Sequence, residues 1–493
     1  MKIQNYPDVG WQPTEYQHNA GSGKPQLEKL PWWLLDAMQW EQAQWGATKE
    51  NHIQSDESCD VLIVGGGFTG LWTALHLHAK NPKLKIIIAE GTICGYGASG
   101  RNGGLVAGYW RYMTELVRLY GQQRATELAL LGGEAQNAIR EVIAQSGLDL
   151  WWREERHIKV SKTKNKAMTD IVASLTAAGH PEQVSQISPE DLPRLTGSNA
   201  FNTGLLFKEG ATVHPGRLVR LLRHLAISKG ITIYEHTPVS DVATSGVLCC
   251  KTSTGAVITS EKVVLATNAA LCNTHPISKH VMPFSSHVVL TEPVEQALND
   301  SGFIKGTGVF DTAMFSHYFR VTPDRRILMG NGSGSVGRFG KITPSMFLDD
   351  IVFDRAISVL GDFYGQTGVR ATHAWGGPID VSADKLPFAG RLSKSEIYFC
   401  AGYTAHGVNP SWIMGNILSS LVCHQQDKWT TSLLANRKWR TFPPEPFRSF
   451  AARPIQNAII RLEESQRLGL PSSIYDRALE LIPRLAGISL GRR

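Results

Sequence analysis

A short unbroken apolar run, VLIV (Val61–Val64), gives way to three glycines and then to Leu71, Ala74, Leu75 and His78 at helical spacing. Run length and spacing predict a buried strand followed by a helix packed on it. A second apolar run in KIIIAE ends at Glu90, which completes a βαβ start. From roughly Met113 to Gly204 the periodicity is helical, as in ELALLGGEAQNAIREVIAQSG. Pro215–Lys229 then predicts a helix and Ile231–Glu235 a strand. A hairpin turning at Thr254-Gly255 leads into a buried strand, Val263–Ala266. Residues 283–340 alternate as antiparallel strands do, with Tyr318–Val321 and Ile327–Gly330 flanking the turn TPDRR. A helical stretch follows around Pro344–Leu360, then a strand in IYFCAGY and a helix opening near Pro410. At the ends, Pro31–Trp45 predicts a helix with Trp33, Ala37, Trp40 and Gln44 on one face, and Ile455–Leu468 and Ile474–Leu485 are helix-like.

The chain has 493 residues, 42% hydrophobic and 19% charged, a globular composition. At about 100–200 residues per domain, two to four domains are expected. The net charge of +7 sits in the tail: residues 431–493 hold 11 Lys and Arg against 5 Asp and Glu, a difference of +6. The remainder is near neutral, which argues against a nucleic-acid partner. It leaves peripheral membrane or partner contact through the basic tail as an expectation. Seven scattered cysteines without a CxxC predict reduced thiols in a cytoplasmic setting and no zinc site. His76 and His78 do not share a helix face, so no metal site is expected. The first residues lack the apolar core of a secretory signal, and no apolar run is long enough to predict a membrane span.

The chemistry begins at the first turn. Gly65, Gly67 and Gly70 form G-x-G-x-x-G between strand and helix, where a dinucleotide fingerprint requires it. Glu90 follows Gly70 by 20 residues, at the end of the second strand, where a carboxylate accepts ribose hydroxyls. NAD and FAD proteins share that much. CGYGASGRNGG (Cys94–Gly104) separates them, because its glycines and small side chains bring backbone amides beside a second part of the nucleotide. An NAD-dependent dehydrogenase has no need of this loop. An NAD enzyme and a flavin-binding adaptor without catalysis stand as the alternatives to a flavoenzyme.

GGGFTGLWTA, GASGRNGG, VVLATNAA (Val263–Ala270), WGGPIDVSADKLPFAG and AGYTAHGV (Ala401–Val408) together resemble the successive motifs of the D-amino acid oxidase-type flavoproteins. The group includes glycine oxidase, sarcosine oxidase and gamma-glutamylputrescine oxidase. The combination looks closest to the gamma-glutamylputrescine oxidase branch and to aminophosphonate oxidoreductases. The resemblance covers about residues 56–430. It implies an α/β protein with a Rossmann-like FAD-binding domain interleaved with an α+β substrate domain. The expected division is an extension over 1–55, an FAD domain from 56–112, 205–275 and 365–430, a substrate domain from 113–204 and 276–364, and a basic helical extension over 431–493.

The resemblance also implies roles. Gly65, Gly67, Gly70 and Glu90 would hold the ADP half. Ala98, Ser99, Arg101, Asn102, Gly103 and Gly104 would line the pyrophosphate and flavin edge. Val239 would meet the adenine, and Thr267 with Asn268 would close a loop after a central strand. Gly402, Tyr403, His406, Gly407 and Val408 would lie at the flavin ring. The cysteine that bonds flavin in sarcosine oxidases has no counterpart in RATHAWGG, so non-covalent FAD is expected. Asn409 stands where those enzymes carry a lysine that aids oxygen, so the electron acceptor is oxygen or another species. The implied reaction is hydride transfer from an amine-bearing carbon, giving an imine that hydrolyses. Tyr318 and Arg320 share a strand face, and an arginine there would bind a carboxylate or phosphonate. With Trp375 as a wall of the amine pocket, and His406, they are the substrate-side candidates. His287 is a weaker one.

Overall fold

Two sheets share one chain, and the segments that build them alternate along it. The computed structural model describes residues 1–7, 26–27, 30–46, 51–163, 165–243, 247–301, 303, 306–364, 369–392, 395–485 and 488. The first sheet has a parallel centre in the order Thr232–Tyr234, Ile86–Ala89, Glu57–Val64, Val257–Leu265 and Ile397–Ala401. VLIV, IIIA, VVL and IYFCA are its buried rungs. Helices cover parallel strands on both faces, so these strands are apolar without alternation. Leu248–Thr252 and Val239–Val242 extend the sheet antiparallel to an edge. The helices Phe68–Lys80, Pro215–Ser228 and Val408–Val422 are those predicted. Pro215 opens its helix at a position that needs no N–H, and His214 Nδ1 caps it by accepting from Arg217 N at 3.1 Å.

Among the described residues the second sheet has nine strands, mostly antiparallel. Its order is Gln26–Leu27, Ala371–Ser382, Val281–Thr291, Ile327–Asn331, His317–Val321, Gly308–Asp311, His157–Ser161, Thr203–Phe207 and Val184–Ile187. This corrects the helical reading of residues 113–204. The helices Met113–Tyr120, Gln122–Ser146 and Lys166–Ala177 are there, but so are two whole strands and the start of a third. Strands of four or five residues leave little period-two signal beside amphipathic helices of that length. The stretch after Pro344 is likewise a single 3₁₀ turn before the helix Asp350–Tyr364. Ala371–Ser382, expected among the nucleotide-binding segments, pairs along its length with Val281–Thr291 in this sheet.

The described helices of both extensions pack on this body. The helix Trp32–Trp45 starts one residue later than predicted, with Pro31 as its N-cap. It is tied to Pro215–Ser228 by a buried group of four charges. Arg220 Nε donates to Glu41 at 2.5 Å and its NH1 to Glu235 at 3.2 Å, while Arg223 NH2 donates to Glu235 at 2.7 Å. Burial opposes the Glu235 charge, but the two guanidiniums hold its carboxyl down at about 2. In the tail, the helix Phe447–Arg467 places Arg448 NH1 2.7 Å from Ser278 O, and Glu463 Oε1 accepts from Met314 N at 2.6 Å. Ile474–Leu485 folds beside it and leaves Ile474 and Leu485 exposed. Residues 8–25 and 489–493 of the two extensions lie outside the described residues. Among the described residues no helix is long and apolar enough to cross a membrane.

Candidate active site

A cavity of about 590 Å³ takes its walls from both sheets, within the usual range for small-molecule and cofactor sites. Its first end is the glycine turn. Gly65 has φ +110°, and a Cβ there would stand 2.7 Å from Ala266 O. A Cβ on Gly70 would overlap Gly65 O, so helix and strand approach this closely only through glycine. The helix begins at Gly67 without a side-chain cap on that residue, and Phe68 N donates to Ser99 Oγ at 2.9 Å. Such a helix start favours a phosphate. Glu90 Oε2 accepts from Gly66 N at 2.7 Å and Oε1 from Thr92 N at 3.0 Å. Burial nevertheless lifts its carboxyl to about 7. Gly65, Gly67, Glu90 and Val239 all line this end.

The loop Cys94–Gly104 forms the middle. Asn102 shapes it, donating to Ala98 O and Ser99 O at 3.1 and 2.7 Å and accepting from Gly104 N at 2.8 Å. Arg101 is buried, with NH1 2.9 Å from Gly376 O and its guanidinium over the rings of Tyr96 and Phe347. Ala98, Ser99, Arg101, Asn102 and Gly103 line the cavity, whereas Gly70, Gly104 and Gly402 shape turns behind its wall. Tyr318 lines it too, its ring against Gly103 and its hydroxyl 3.4 Å from Ser286 Oγ.

Three substrate-side expectations need correction here. Tyr318 and Arg320 do share a face, but the loop ending at Gly104 lies over Arg320. Arg320 is fully buried, donating to Val213 O at 2.9 Å with its guanidinium 5.3 Å from the Trp33 ring. Burial lowers its pKa to about 9. Trp375 is also fully buried, its Nε1 donating to Arg101 O at 2.9 Å. Neither residue lines the cavity; Trp375 braces the loop that does. His287 is buried away from the cavity, with a Cβ on Gly334 or Gly376 falling against its ring. Asn409 is buried against Gly132 O at 3.2 Å and does not line it either.

The central strand Val257–Leu265 delivers Thr267 and Asn268. Thr267 Oγ1 and Asn268 Oδ1 are buried beside the cavity with no partner among the described residues. Buried polar atoms are nearly always satisfied, so these two fit a polar ligand. Asp380 went unmarked in the sequence although it sits inside a quoted motif. It accepts from Asn268 Nδ2, Gly402 N and Tyr403 N at 2.8, 2.5 and 3.0 Å. Burial raises it to about 6 against those bonds. Asp380 thereby anchors the turn that presents Tyr403, Gly407 and Val408 to the cavity.

The far end is cationic. Arg111, Lys159 and Lys385 line it, and neither lysine has an ion-pair partner among the described residues. Burial lowers both lysines to about 8, and Arg111 and Lys385 add like-charge repulsion at Lys159. Two nearby carboxylates are engaged elsewhere: Asp311 holds His317 Nδ1 at 2.6 Å, and Glu115 binds Arg118 Nε at 2.9 Å. A third, Glu209, lines the cavity near Arg111 with Oε1 unpartnered among the described residues, and burial lifts its carboxyl to about 7. His406 lines this end, with burial and then Arg111 holding its pKa well below the usual range. Its Nδ1 accepts from Arg111 NH2 at 3.0 Å, since a guanidinium only donates. The ring proton is therefore on Nε2, facing the Tyr112 oxygen, and the Tyr112 hydroxyl hydrogen is free for the cavity. Sequence reasoning missed all three cations. They come from a 3₁₀ turn, a strand and a left-handed turn residue, Lys385 with φ +59°, with no local signal.

The phosphate-favouring helix start, the glycine loop and the orphaned Thr267 and Asn268 fit an FAD molecule. Among the described residues no group of three or more His, Cys, Asp or Glu is placed to hold a metal, and all seven cysteines are free. Gamma-glutamylputrescine oxidoreductase of Escherichia coli (strain K12) is 29% identical over 368 residues, 74% of this chain and 84% of that protein. The probable oxidoreductase OrdL of Haemophilus influenzae is 29% identical over 383 residues, 76% of this chain and 84% of that one. The crystal structure of glycine oxidase from Geobacillus kaustophilus superposes with a TM-score of 0.61 at 21% identity, covering 78% of this chain and 99% of that one. The family model for FAD dependent oxidoreductases, DAO, matches residues 60–421. That span contains all five motifs and both sides of the cavity, and the chain belongs to this family of FAD-dependent oxidoreductases.

Proposed function

We propose that the protein oxidises a small amine that also carries an anionic group. The observation that carries this is the cationic group Arg111, Lys159 and Lys385 on the cavity wall, whose two lysines have no ion-pair partner among the described residues. An anionic head would neutralise that field through charge-assisted hydrogen bonds. The same positive charge disfavours an ammonium nearby and so favours the neutral amine that reacts. FAD, when bound, supplies the hydride acceptor, and the imine produced hydrolyses. Tyr112, oriented by His406, offers a donor to the substrate, and Tyr318 walls the space beside Gly103. Gamma-glutamylputrescine-like amines and aminophosphonates both carry an amine and an anionic group. Non-covalent binding of FAD is part of the proposal: burial pushes Cys400, which lines the cavity, up to about 12 and keeps it a thiol.

Anaerobic mixing of the flavin-loaded protein with gamma-glutamylputrescine, an aminophosphonate, glycine and sarcosine tests the reaction. Bleaching of the visible flavin band by an amine with an anionic head is expected. Admission of air then separates oxygen from another acceptor by whether colour returns. A protein whose flavin no amine bleaches would not be an amine oxidoreductase.

The cation trio gives its own expectation. Lys159→Met or Lys385→Met removes a charged hydrogen bond worth about 1.5–3 kcal/mol, so KM rises roughly tenfold to a hundredfold with kcat little changed. In the wild type, kcat/KM reports the free enzyme. It should fall as pH rises through about 8, where the two ammoniums lose their protons. Unchanged KM in both variants would place the anion elsewhere.

A further inference from the structure

The family match begins at residue 60, yet the first residues of the chain reach the same cavity. Ile3 N donates to Ser240 O at 3.1 Å, and Val242 N donates to Met1 O at 2.8 Å. Lys2 pairs with Asp241 in an antiparallel bridge. The segment thus lies along the exposed edge of the first sheet, on the strand that opens with Val239. Gln4 then crosses to another part of the body. With its amide turned to satisfy both neighbours, it donates to Gly340 O at 3.1 Å and accepts from Ile342 N at 2.8 Å. Pinned at both places, the chain carries Tyr6 into the wall of the cavity beside the nucleotide turn.

Ile3, Gln4, Asn5 and Tyr6 line the cavity together with Gly65, Glu90 and Val239. The Tyr6 ring meets Phe347 edge-on, with centroids 5.9 Å apart. It also closes on the cofactor loop, where a Cβ on Gly97 would stand 3.2 Å from Tyr6 Cε2. Burial, followed by the nearby Glu90 and Asp380 carboxylates, pushes the phenol pKa well above its usual range. Tyr6 is therefore a fixed O–H donor. No hydrogen-bond partner for its hydroxyl is found among the described residues.

We propose that Met1–Tyr6 is a strap that completes the cofactor site, and that Tyr6 donates its hydroxyl to an oxygen of bound FAD. This rests on the assignment of the cavity to FAD. A phenol held by two separate anchors closes the open side of the nucleotide without rearrangement of either sheet. FAD leaves only after the strap has come off the edge strand or Tyr6 has swung out, so the strap slows release more than it alters chemistry.

The test is FAD release from the holoenzyme on dilution, followed by the rise of free flavin fluorescence. Tyr6→Phe removes only the hydroxyl, and Tyr6→Ala removes the ring as well. One lost hydrogen bond predicts release about tenfold faster for Tyr6→Phe, and faster again for Tyr6→Ala. Ile3→Pro, which removes the N–H that docks on Ser240, should accelerate release with Tyr6 intact. Thermal midpoints of the flavin-stripped variants should match that of stripped wild type, which separates cofactor retention from folding. Release at the wild-type rate in all three variants overturns the strap. Slower release from Tyr6→Ala overturns it too, by showing that the ring competes for the cofactor's space. A wild-type protein that holds no FAD overturns the cavity assignment itself, a different result from flavin held equally by every variant.

Discussion

Gly70→Ala is expected to purify without FAD and to unfold at a markedly lower temperature. The added Cβ falls on Gly65 O, with Gly65 C at 3.1 Å and Ile63 Cγ2 at 3.3 Å. The overlapped atom is backbone, so no rotamer relieves it. Either the helix Phe68–Lys80 lifts off the sheet or the Gly65 turn moves, and in each case the phosphate-facing amides are displaced. Overpacking of this kind costs about 1–3 kcal/mol. The alanine returns at most about 1 kcal/mol of helix propensity. Loss of a cofactor present at about a thousand times its Kd removes roughly 4 kcal/mol more. Gly361→Ala is the control, because nothing lies within 4 Å of its Cβ in a helix. Flavin-to-protein absorbance and calorimetry make the comparison. Full flavin content with an unchanged midpoint in Gly70→Ala would contradict the proposed placement of the nucleotide.

Glu41→Ala should be the most damaging substitution far from the cavity. Glu41 and Glu235 are 1% exposed, facing Arg220 and Arg223 at 5% and 2%. Its removal leaves two buried guanidiniums on one carboxylate, a defect worth about 3–5 kcal/mol. Urea midpoints would show it, and replacing Glu41 by leucine together with Arg220 by methionine should recover part of the loss. The pH dependence has a definite sign. Glu235 is depressed to about 2 in the folded protein from an ordinary value of 4.5. Its contribution is complete above about 4.5 and is lost as pH falls towards 2. The damage reaches the cofactor loop as well, because Glu235 Oε1 also accepts from Cys94 N at 2.7 Å.

The parts of the fold that the sequence made legible are those whose signal is local. Gly65, Gly67, Gly70 and Glu90 lie within 26 residues, with close backbone approach demanding Gly65 and Gly70 and a strand end presenting the Glu90 carboxylate. The helices Phe68–Lys80, Pro215–Ser228 and Val408–Val422 show in the same way, through apolar runs and a proline at a helix start. Arg320 marks the limit. Period-two spacing places it on the face of Tyr318, but which surface covers that face depends on Gly104, more than 200 residues earlier. Lys159 and Lys385 are ordinary lysines in the sequence; only the packing of both sheets makes them neighbours without partners. Asp380 carries no local mark because its role is to hold the backbone of Gly402 and Tyr403. His157–Ser161 and Val184–Ile187 were hidden beside long amphipathic helices, where a short strand has too few residues to show its own period.

Glu463 lies outside the family span, yet it fixes the loop at Met314 and Phe315, and that loop is cavity wall. Two proteins identical from residue 60 to 421 and different only in their tails would therefore present differently shaped pockets. A change at Glu463 reaches the cavity wall at Met314 and Phe315 from outside the matched span, and alignments restricted to the family core would not register it.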